Sequence, residues 1–119
     1  MQFMLMINED ESAYEGEGGT ALLEATLAGH MKLAEDLIAA GVPFSGERLK
    51  PAATATTIRW DNGTSTLHDG PFAETHEELG GFYIIDVASL DAALEWAKRI
   101  PVPKGGIEVR PIWPMGAEG

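Results

Sequence analysis

The sequence predicts one α+β domain over residues 1–119, with an antiparallel β-sheet and two α-helices on one of its faces. The chain length fits a single compact unit. Two segments repeat apolar residues at helical spacing, and the other apolar runs are rich in β-branched and aromatic residues. Their order along the chain is strand, helix, strands, strand, helix, strand. This order is the split βαβ arrangement of a ferredoxin-like sandwich.

The first strand is predicted in the run QFMLMIN near the start of the chain. Phe3, Leu5 and Ile7 alternate with two further apolar side chains, Met4 and Met6, so both faces of this strand are apolar. Two helices can cover only one face of the sheet. We therefore expect a second copy of the chain to cover the other face, which makes the protein a homodimer.

The first helix is predicted between Thr20, as its N-cap, and Gly41, which ends it ahead of Pro43. Its apolar residues recur mostly at spacings of three and four, and one histidine lies among them. The members of this stripe are Leu23, Leu27, His30, Ala34, Leu37 and Ile38. We therefore expect His30 to face the sheet.

A β-hairpin is predicted around Asp61, Asn62 and Gly63, because Asn-Gly supplies the positive φ angles that a tight two-residue turn requires. The later run GGFYIIDV is typical of a buried strand. Its Gly80-Gly81 pair indicates a β-bulge or a close backbone approach at the start of that strand.

The second helix is predicted to begin at Ser89 as its N-cap and to end before Pro101. Its expected inward-facing residues are Leu90, Ala93, Leu94 and Ala97, and the basic residues of its last turn are Lys98 and Arg99. A final strand is predicted over IEVRPIW, residues 107–113. Pro111 places the later part of that strand at an edge of the sheet.

The stretch HDGPFAETHEELGGFY, residues 68–83, combines turn chemistry with titratable side chains. Asp69, Gly70 and Pro71 predict a tight turn, because Asp accepts local N–H bonds, Gly permits an unusual φ and Pro fixes its own φ. We expect Phe72 to be buried as an anchor in the core and residues 74–78 to form a solvated turn.

The same stretch contains donor atoms that divalent metals accept, in His68, Asp69, Glu74 and His76. The two histidines lack a recognised ligand spacing, so no metal site is predicted. The Gly80-Gly81 pair is not surrounded by GxxxxGK[ST] or GxGxxG, and no cofactor is predicted.

The composition excludes several classes of function. Nineteen acidic residues against eight basic ones give a net charge of −11, which disfavours direct binding of nucleic acid. The sequence contains no apolar run of about 20 residues and no signal-peptide pattern, so a cytoplasmic protein without membrane contact is expected. The absence of cysteine excludes disulfides and thiolate chemistry.

Four segments resemble the YCII-related family, in particular its branch marked by an Asp-Gly-Pro-Phe motif. They are FMLMINED, AAGVPFSGERLKPAATATTIR, DGPFAETHEELGGFYIIDVASLDAALEWAKRIP and IEVRPI, which together cover most of the chain in the family's order. The resemblance implies a dimeric α+β barrel, in which two ferredoxin-like sheets pack face to face. Some similar proteins are fused to, or encoded beside, extracytoplasmic-function sigma factors, and the wider superfamily includes small enzymes that act on hydroxylated aromatic rings.

The resemblance also implies a catalytic His/Asp pair with its histidine on the first helix. The matching histidine is His30, and the best candidate for the acid is Asp69. His68 and His76 lie where similar sequences more often carry other residues, so neither is predicted to be essential. Among the arginines on the expected strands, Arg48 is a better candidate for a ligand contact than Arg59, because Arg48 lies in a family-matching segment.

Two classes of function follow, together with a third possibility. The first is a small enzyme in which His30, assisted by Asp69, performs acid/base chemistry on a small organic molecule. The second is a non-catalytic module that binds a small ligand or a transcription-factor partner. The third is a dimer scaffold in which the ancestral pocket has closed.

Overall fold

The computed structural model describes residues 1–116 and confirms the ferredoxin-like α+β class. The helices are α1 (Gly19–Ala39) and α2 (Leu90–Ala97). The strands are β1 (Gln2–Glu9), β2 (Phe44–Arg48), β3 (Thr56–Asp61), β4 (Thr64–Asp69), β5 (Glu78–Asp86) and β6 (Gly105–Pro111). Four of them form an antiparallel sheet in the order β2-β5-β1-β6, and β3 pairs with β4 in a separate hairpin. Neither helix combines the length and the apolar character that crossing a bilayer would require.

The core lies between the sheet and the two helices. In β1, Phe3, Leu5 and Ile7 are buried and lie opposite Ile85, Tyr83 and Gly81 of β5. Because side chains alternate along a strand, all of these residues belong to the helix-facing side of the sheet. The buried core consists of Phe3, Leu5, Ile7, Leu33, Leu37, Ile85, Ala93, Ala97 and Ile100.

The opposite face of the sheet is also apolar. Met4 lies opposite Ile84, and Met6 lies opposite Phe82. By alternation these four side chains point away from the helices that cover the core residues. The described part of the chain measures 49 × 46 × 17 Å, which is thin enough for one helical layer on one sheet.

Helix α1 differs from expectation at its start and along its buried stripe. Gly18, with φ +82°, is the N-cap instead of Thr20, because the preceding turn requires a left-handed residue at that point. Leu37 is 1% exposed, whereas Ile38 is 69% exposed and was wrongly expected in the stripe. The two residues are adjacent, so they lie about 100° apart around the helix, and only Leu37 faces the sheet.

Helix α2 begins at its predicted N-cap, but fewer of its residues are buried than expected. The Ser89 hydroxyl accepts a hydrogen bond from the Ala92 amide at 3.2 Å. Ala93 and Ala97 are buried, but Leu90 and Leu94 are exposed, which corrects the expectation for both leucines. The helix ends at Ala97, so Lys98 is the C-cap and Arg99 lies beyond it.

The hairpin, the bulge and the edge strand agree with the predictions made from the glycine, asparagine and proline residues. Asn62 and Gly63 have φ angles of +49° and +78°, as a two-residue turn between β3 and β4 requires. The pairing of β1 with β5 shifts register between Ile7 and Asn8, opposite the Gly80-Gly81 pair, which confirms the expected bulge. Strand β6 lies at the sheet edge, as Pro111 indicated.

Phe72 is not the expected core anchor, because 69% of its surface is exposed. The Arg59 guanidinium lies 4.4 Å from the centre of the Phe72 ring, and its Nη2 atom donates a hydrogen bond to the Phe72 carbonyl at 2.7 Å. The turn after β4 therefore holds Phe72 against the hairpin through a cation–π contact and a backbone hydrogen bond.

Replacing Leu37 by alanine should lower the free energy of unfolding by about 2–5 kcal/mol, because it deletes a fully buried side chain. Ile38→Ala is the matched control on the same helix. It should change stability by less than about 0.5 kcal/mol. Urea denaturation of both variants measures the difference, and equal losses would contradict the assignment of the buried face.

Candidate functional site

A cavity of about 570 Å³ opens between α1 and the adjoining ends of β2 and β5. Its apolar walls come from both layers and include Ile7, Leu23, Leu27, Ala34 and Phe44. Its polar and charged lining residues include Glu9, Glu11, Tyr14, His30, Glu47, Arg48, Lys50 and Tyr83. A volume of this size suits a small organic ligand. A second depression, near Thr75, His76 and Ile107, has a larger volume of about 720 Å³, but it is a shallow surface wide open to solvent.

Two glycines on the helix-facing side of the sheet leave room for this cavity. Gly46 of β2 lies opposite Tyr83, and Gly81 of β5 lies opposite Ile7. Both positions also require glycine sterically. A Cβ atom on Gly46 would lie 2.6 Å from the Phe82 carbonyl oxygen, and one on Gly81 would lie 2.9 Å from the Glu47 carbonyl oxygen. Helix α1 therefore passes over strand positions that no side chain fills.

His30 and Tyr83 meet across the cavity. The Nδ1 atom of His30 on α1 lies 2.7 Å from the Tyr83 hydroxyl on β5, and the two rings stack with an angle of 17° between their planes. The helical stripe predicted that His30 would face the sheet, and the cavity-lining position confirms it. The sequence did not indicate Tyr83 as its partner, because 53 residues separate the two and only the strand register brings them together.

Burial alters the acid/base properties of both groups. Partial burial, and to a smaller extent the charge of Arg48, lowers the pKa of His30 below its usual value of about 6.5. Partial burial raises the pKa of Tyr83 above its usual value of about 10. At neutral pH, the pair therefore consists of a neutral imidazole and a neutral phenol.

A second tyrosine lines the same cavity. The Tyr14 hydroxyl donates a hydrogen bond to Glu9 Oε2 at 3.0 Å, and burial is the main cause of its raised pKa. Glu11 accepts a hydrogen bond from the Ala52 amide at 2.8 Å, which ties the turn after β1 to the segment after β2. Arg48 brings a positive charge to the same space, whereas Arg59 does not line it; a ligand contact by Arg48 stays a prediction.

In the described residues 1–116, Asp69 and His30 do not lie together. Asp69 lies at the end of β4, opposite Thr56, on the exposed hairpin, and it does not line the cavity. The catalytic role of Asp69 remains a prediction. His68 lies on the same exposed strand. In the described part of the chain, no group of three or more acidic, histidine or cysteine side chains is arranged to hold a metal ion.

The fold and the cavity define a small ferredoxin-like α+β protein with a histidine and a tyrosine in a ligand-sized space. The chain belongs to the YCII-related family, whose domain matches residues 1–116. It is also similar to the uncharacterized protein R00369 of Rhizobium meliloti (strain 1021), with 48% identity over 68 residues. That match covers 55% of this chain and 55% of the relative, so it spans about half the length of the curated relative.

The lowered pKa of His30 predicts a specific pH dependence of stability. The unfolded histidine titrates near pH 6.5 and the folded one at lower pH, so the unfolded state binds more protons between these two values. The wild type should therefore lose stability relative to His30→Gln as the pH falls below about 6.5. Urea denaturation of both proteins between about pH 7.5 and pH 5 measures this difference. Parallel curves, or a relative gain by the wild type at acid pH, would contradict the lowered pKa.

Proposed function

We propose that the cavity binds a small, largely apolar organic molecule and that the His30–Tyr83 pair exchanges a proton with it. The observation that carries this proposal is the 2.7 Å hydrogen bond between His30 Nδ1 and the Tyr83 hydroxyl inside a cavity of about 570 Å³. A titratable pair with altered pKa values in a ligand-sized cavity is a common feature of enzyme active sites.

The pair has two tautomeric arrangements with different chemistry. If Nδ1 carries the proton and donates to the Tyr83 oxygen, Nε2 keeps a free lone pair and can act as a general base. The Tyr83 O–H is then free to donate a hydrogen bond to an oxygen of the ligand. If Tyr83 donates to Nδ1 instead, Nε2 carries the proton and can donate a hydrogen bond to the ligand. The acid of the pair is the imidazolium that forms when Nε2 accepts a proton in the first arrangement. One pair can therefore remove a proton and return it.

The altered pKa values support the role of base for His30. A histidine with a pKa below its usual value is mainly neutral at pH 7, so it can accept a proton without first losing one. Tyr83, with its raised pKa, keeps its proton and acts as a hydrogen-bond donor. This combination suits removal of a proton from carbon or from a hydroxyl group while a ligand oxygen is held by the phenol.

The cavity lining supports a ligand with an apolar ring and at least one oxygen substituent. Leu23, Leu27 and Phe44 offer apolar contacts, while Tyr83 and Arg48 offer donors for oxygen atoms. Hydroxylated aromatic compounds, on which some members of the wider superfamily act, have this chemistry. In this proposal Asp69 assists only if it reaches the cavity from another copy of the chain or after the hairpin moves.

A non-catalytic sensor is the second candidate. In established His/Asp pairs a carboxylate orients the histidine and raises its basicity, whereas the described partner of His30 is a neutral phenol. This observation favours ligand binding without turnover, and the protein partner of such a sensor would be a transcription factor. Turnover of a bound compound distinguishes the enzyme from the sensor.

We also propose that the protein is a cytoplasmic homodimer in which the open sheet faces of two copies pack together. The apolar row of Met4, Met6, Phe82 and Ile84 supports this arrangement, because neither helix within residues 1–116 lies on that side of the sheet. The absence of cysteine agrees with a reducing compartment.

A panel of hydroxylated aromatic compounds and small carboxylic acids should contain ligands that raise the melting temperature of the wild type. For such a ligand, Tyr83→Phe should weaken binding by on the order of tenfold, because it removes one buried hydrogen-bonding group. His30→Gln should abolish any turnover. His76→Gln, an exposed histidine outside the cavity, is the matched control and should behave like the wild type.

Calorimetric titration and product analysis by mass spectrometry read binding and turnover separately. Binding without turnover in the wild type would favour the sensor over the enzyme. Ligand binding that survives both cavity variants unchanged would contradict the site itself.

A further inference from the structure

Two basic residues at the cavity have no acidic partner, although acidic partners are abundant in a chain of nineteen acidic and eight basic residues. In the described part of the chain, five basic side chains form ion pairs with carboxylates: Lys32, Lys98, Arg99, Lys104 and Arg110. A sixth, Arg59, lies against the ring and the carbonyl of Phe72. The two that remain within residues 1–116 are Arg48 and Lys50, and both line the cavity.

Both residues lie where β2 runs out at the open end of the sheet. Arg48 lies opposite Gly81, so strand alternation directs its side chain towards α1. The Leu49 amide donates a hydrogen bond to the Gly80 carbonyl at 2.9 Å, which continues the pairing of β2 with β5 by one residue. Lys50 follows directly and lines the same cavity. Both basic residues are exposed, so they lie at the mouth of the cavity.

The charge of Arg48 acts on groups inside the cavity. Burial is the main cause of the lowered pKa of His30, and the charge of Arg48 is the second cause. Burial is also the main cause of the raised pKa of Tyr14, and the charge of Arg48 opposes that rise. The guanidinium is therefore within electrostatic range of both side chains. A small molecule with one end at Arg48 could place its other end at His30.

The acidic residues of the lining have other partners or directions. Glu9 and Glu11 each accept a hydrogen bond from within the chain, one from a phenol and the other from a backbone amide. Glu47 lies opposite Phe82, so by alternation its side chain points to the other face of the sheet. Glu15 is exposed to solvent. Among the described residues on the helix-facing side of β2, the charges that a ligand would meet without a partner are therefore positive.

We propose that the ligand of the cavity is an organic acid whose carboxylate is bound by Arg48 and Lys50 at the mouth. This inference rests on the proposed function and names the substrate class of that site. A guanidinium can bind both oxygens of a carboxylate through two parallel hydrogen bonds, and a neighbouring ammonium adds a second positive charge. The net charge of −11 repels anions from the rest of the surface, so the two unpaired cations distinguish this mouth from its surroundings.

The rest of the acid is apolar in this proposal. Leu23, Leu27 and Phe44 of the cavity wall would pack against its ring or chain. A carboxylate held at the mouth also fixes which end of the molecule reaches His30. Such an anchor holds the reacting group in one orientation, which is how binding energy remote from the reaction assists catalysis.

Three probes with one apolar body and different head groups test the proposal. They are 3-phenylpropionate, 3-phenylpropan-1-ol and 3-phenylpropylamine, titrated at pH 7 and followed by calorimetry. The acid should bind about tenfold more tightly than the alcohol, and the amine should bind most weakly. Equal affinity for the acid and the alcohol would overturn this inference and leave the cavity of the proposed function standing. Tightest binding of the amine would overturn it as well, and failure of all three to bind would overturn both proposals.

Variants of the mouth provide the second measurement. Arg48→Gln should lower the affinity for 3-phenylpropionate about tenfold and change the affinity for the alcohol by less than about twofold. Arg48→Lys should retain part of the affinity for the acid, because it keeps the charge but not the bidentate geometry. Arg59→Gln, which removes an arginine outside the cavity, is the matched control and should bind both probes like the wild type. An Arg48→Gln protein that binds the acid as tightly as the wild type, or that loses both probes equally, would overturn the inference.

The dependence on salt gives opposite results for the two possible electrostatic controls. If the unpaired cations attract the acid, raising the ionic strength from about 0.02 M to about 0.3 M should weaken its binding severalfold and leave the alcohol unaffected. If the negative field of the whole chain dominates instead, the same change should strengthen binding of the acid. The second result would overturn the inference.

Discussion

The absence of side chains at Gly46 and Gly81 is the constraint on which the candidate site depends. Both residues lie on the side of the sheet that faces α1, where Gly46 lies opposite Tyr83 and Gly81 lies opposite Ile7. Towards the other end of the sheet, Phe3 and Ile85 fill the corresponding space and form the core. One end of the sheet is therefore packed and the other is open. A larger side chain at either glycine could not fill the open end, because its Cβ atom would lie too close to a backbone carbonyl oxygen.

The open end becomes a chemical site because of what the surrounding elements place there. Helix α1 supplies His30, and β5 supplies Tyr83 two residues after Gly81. The hydrogen bond between them links the helix to the sheet across the cavity and satisfies two polar groups in a half-buried position. Burial then keeps the imidazole neutral, so the features that stabilise the pair also make it available for proton transfer.

Much of the fold could be predicted from the sequence, because local signals determine it. Asn62-Gly63 fixed the hairpin, Ser89 fixed the start of α2, and the spacing around His30 placed that residue towards the sheet. It was harder to predict which residues near the end of α1 belong to its buried stripe. Ile38 satisfies the helical spacing, but it lies about 100° from the buried Leu37 around the helix and is exposed.

Only some of the residues that form the site could be predicted, because the pairing of strands distant in sequence decides which side chains meet there. The Gly80-Gly81 pair indicated a bulge, but only the pairing of β5 with β1 and β2 shows that Gly81 and Gly46 face the helix together. Tyr83 enters the site for the same reason. Asp69 was chosen for its place in a motif, and the hairpin that carries it leads away from the cavity.

Mapping of amide chemical shifts with a compound that stabilises the wild type tests the central claim most directly. The claim is that small molecules bind between α1 and the glycine-bearing ends of β2 and β5. We predict that the largest shifts in the ¹H–¹⁵N spectrum belong to Leu27, His30, Gly46, Gly81 and Tyr83, all of which line the cavity. Shifts confined to the open depression near Thr75 and His76, or to the β3–β4 hairpin, would contradict it.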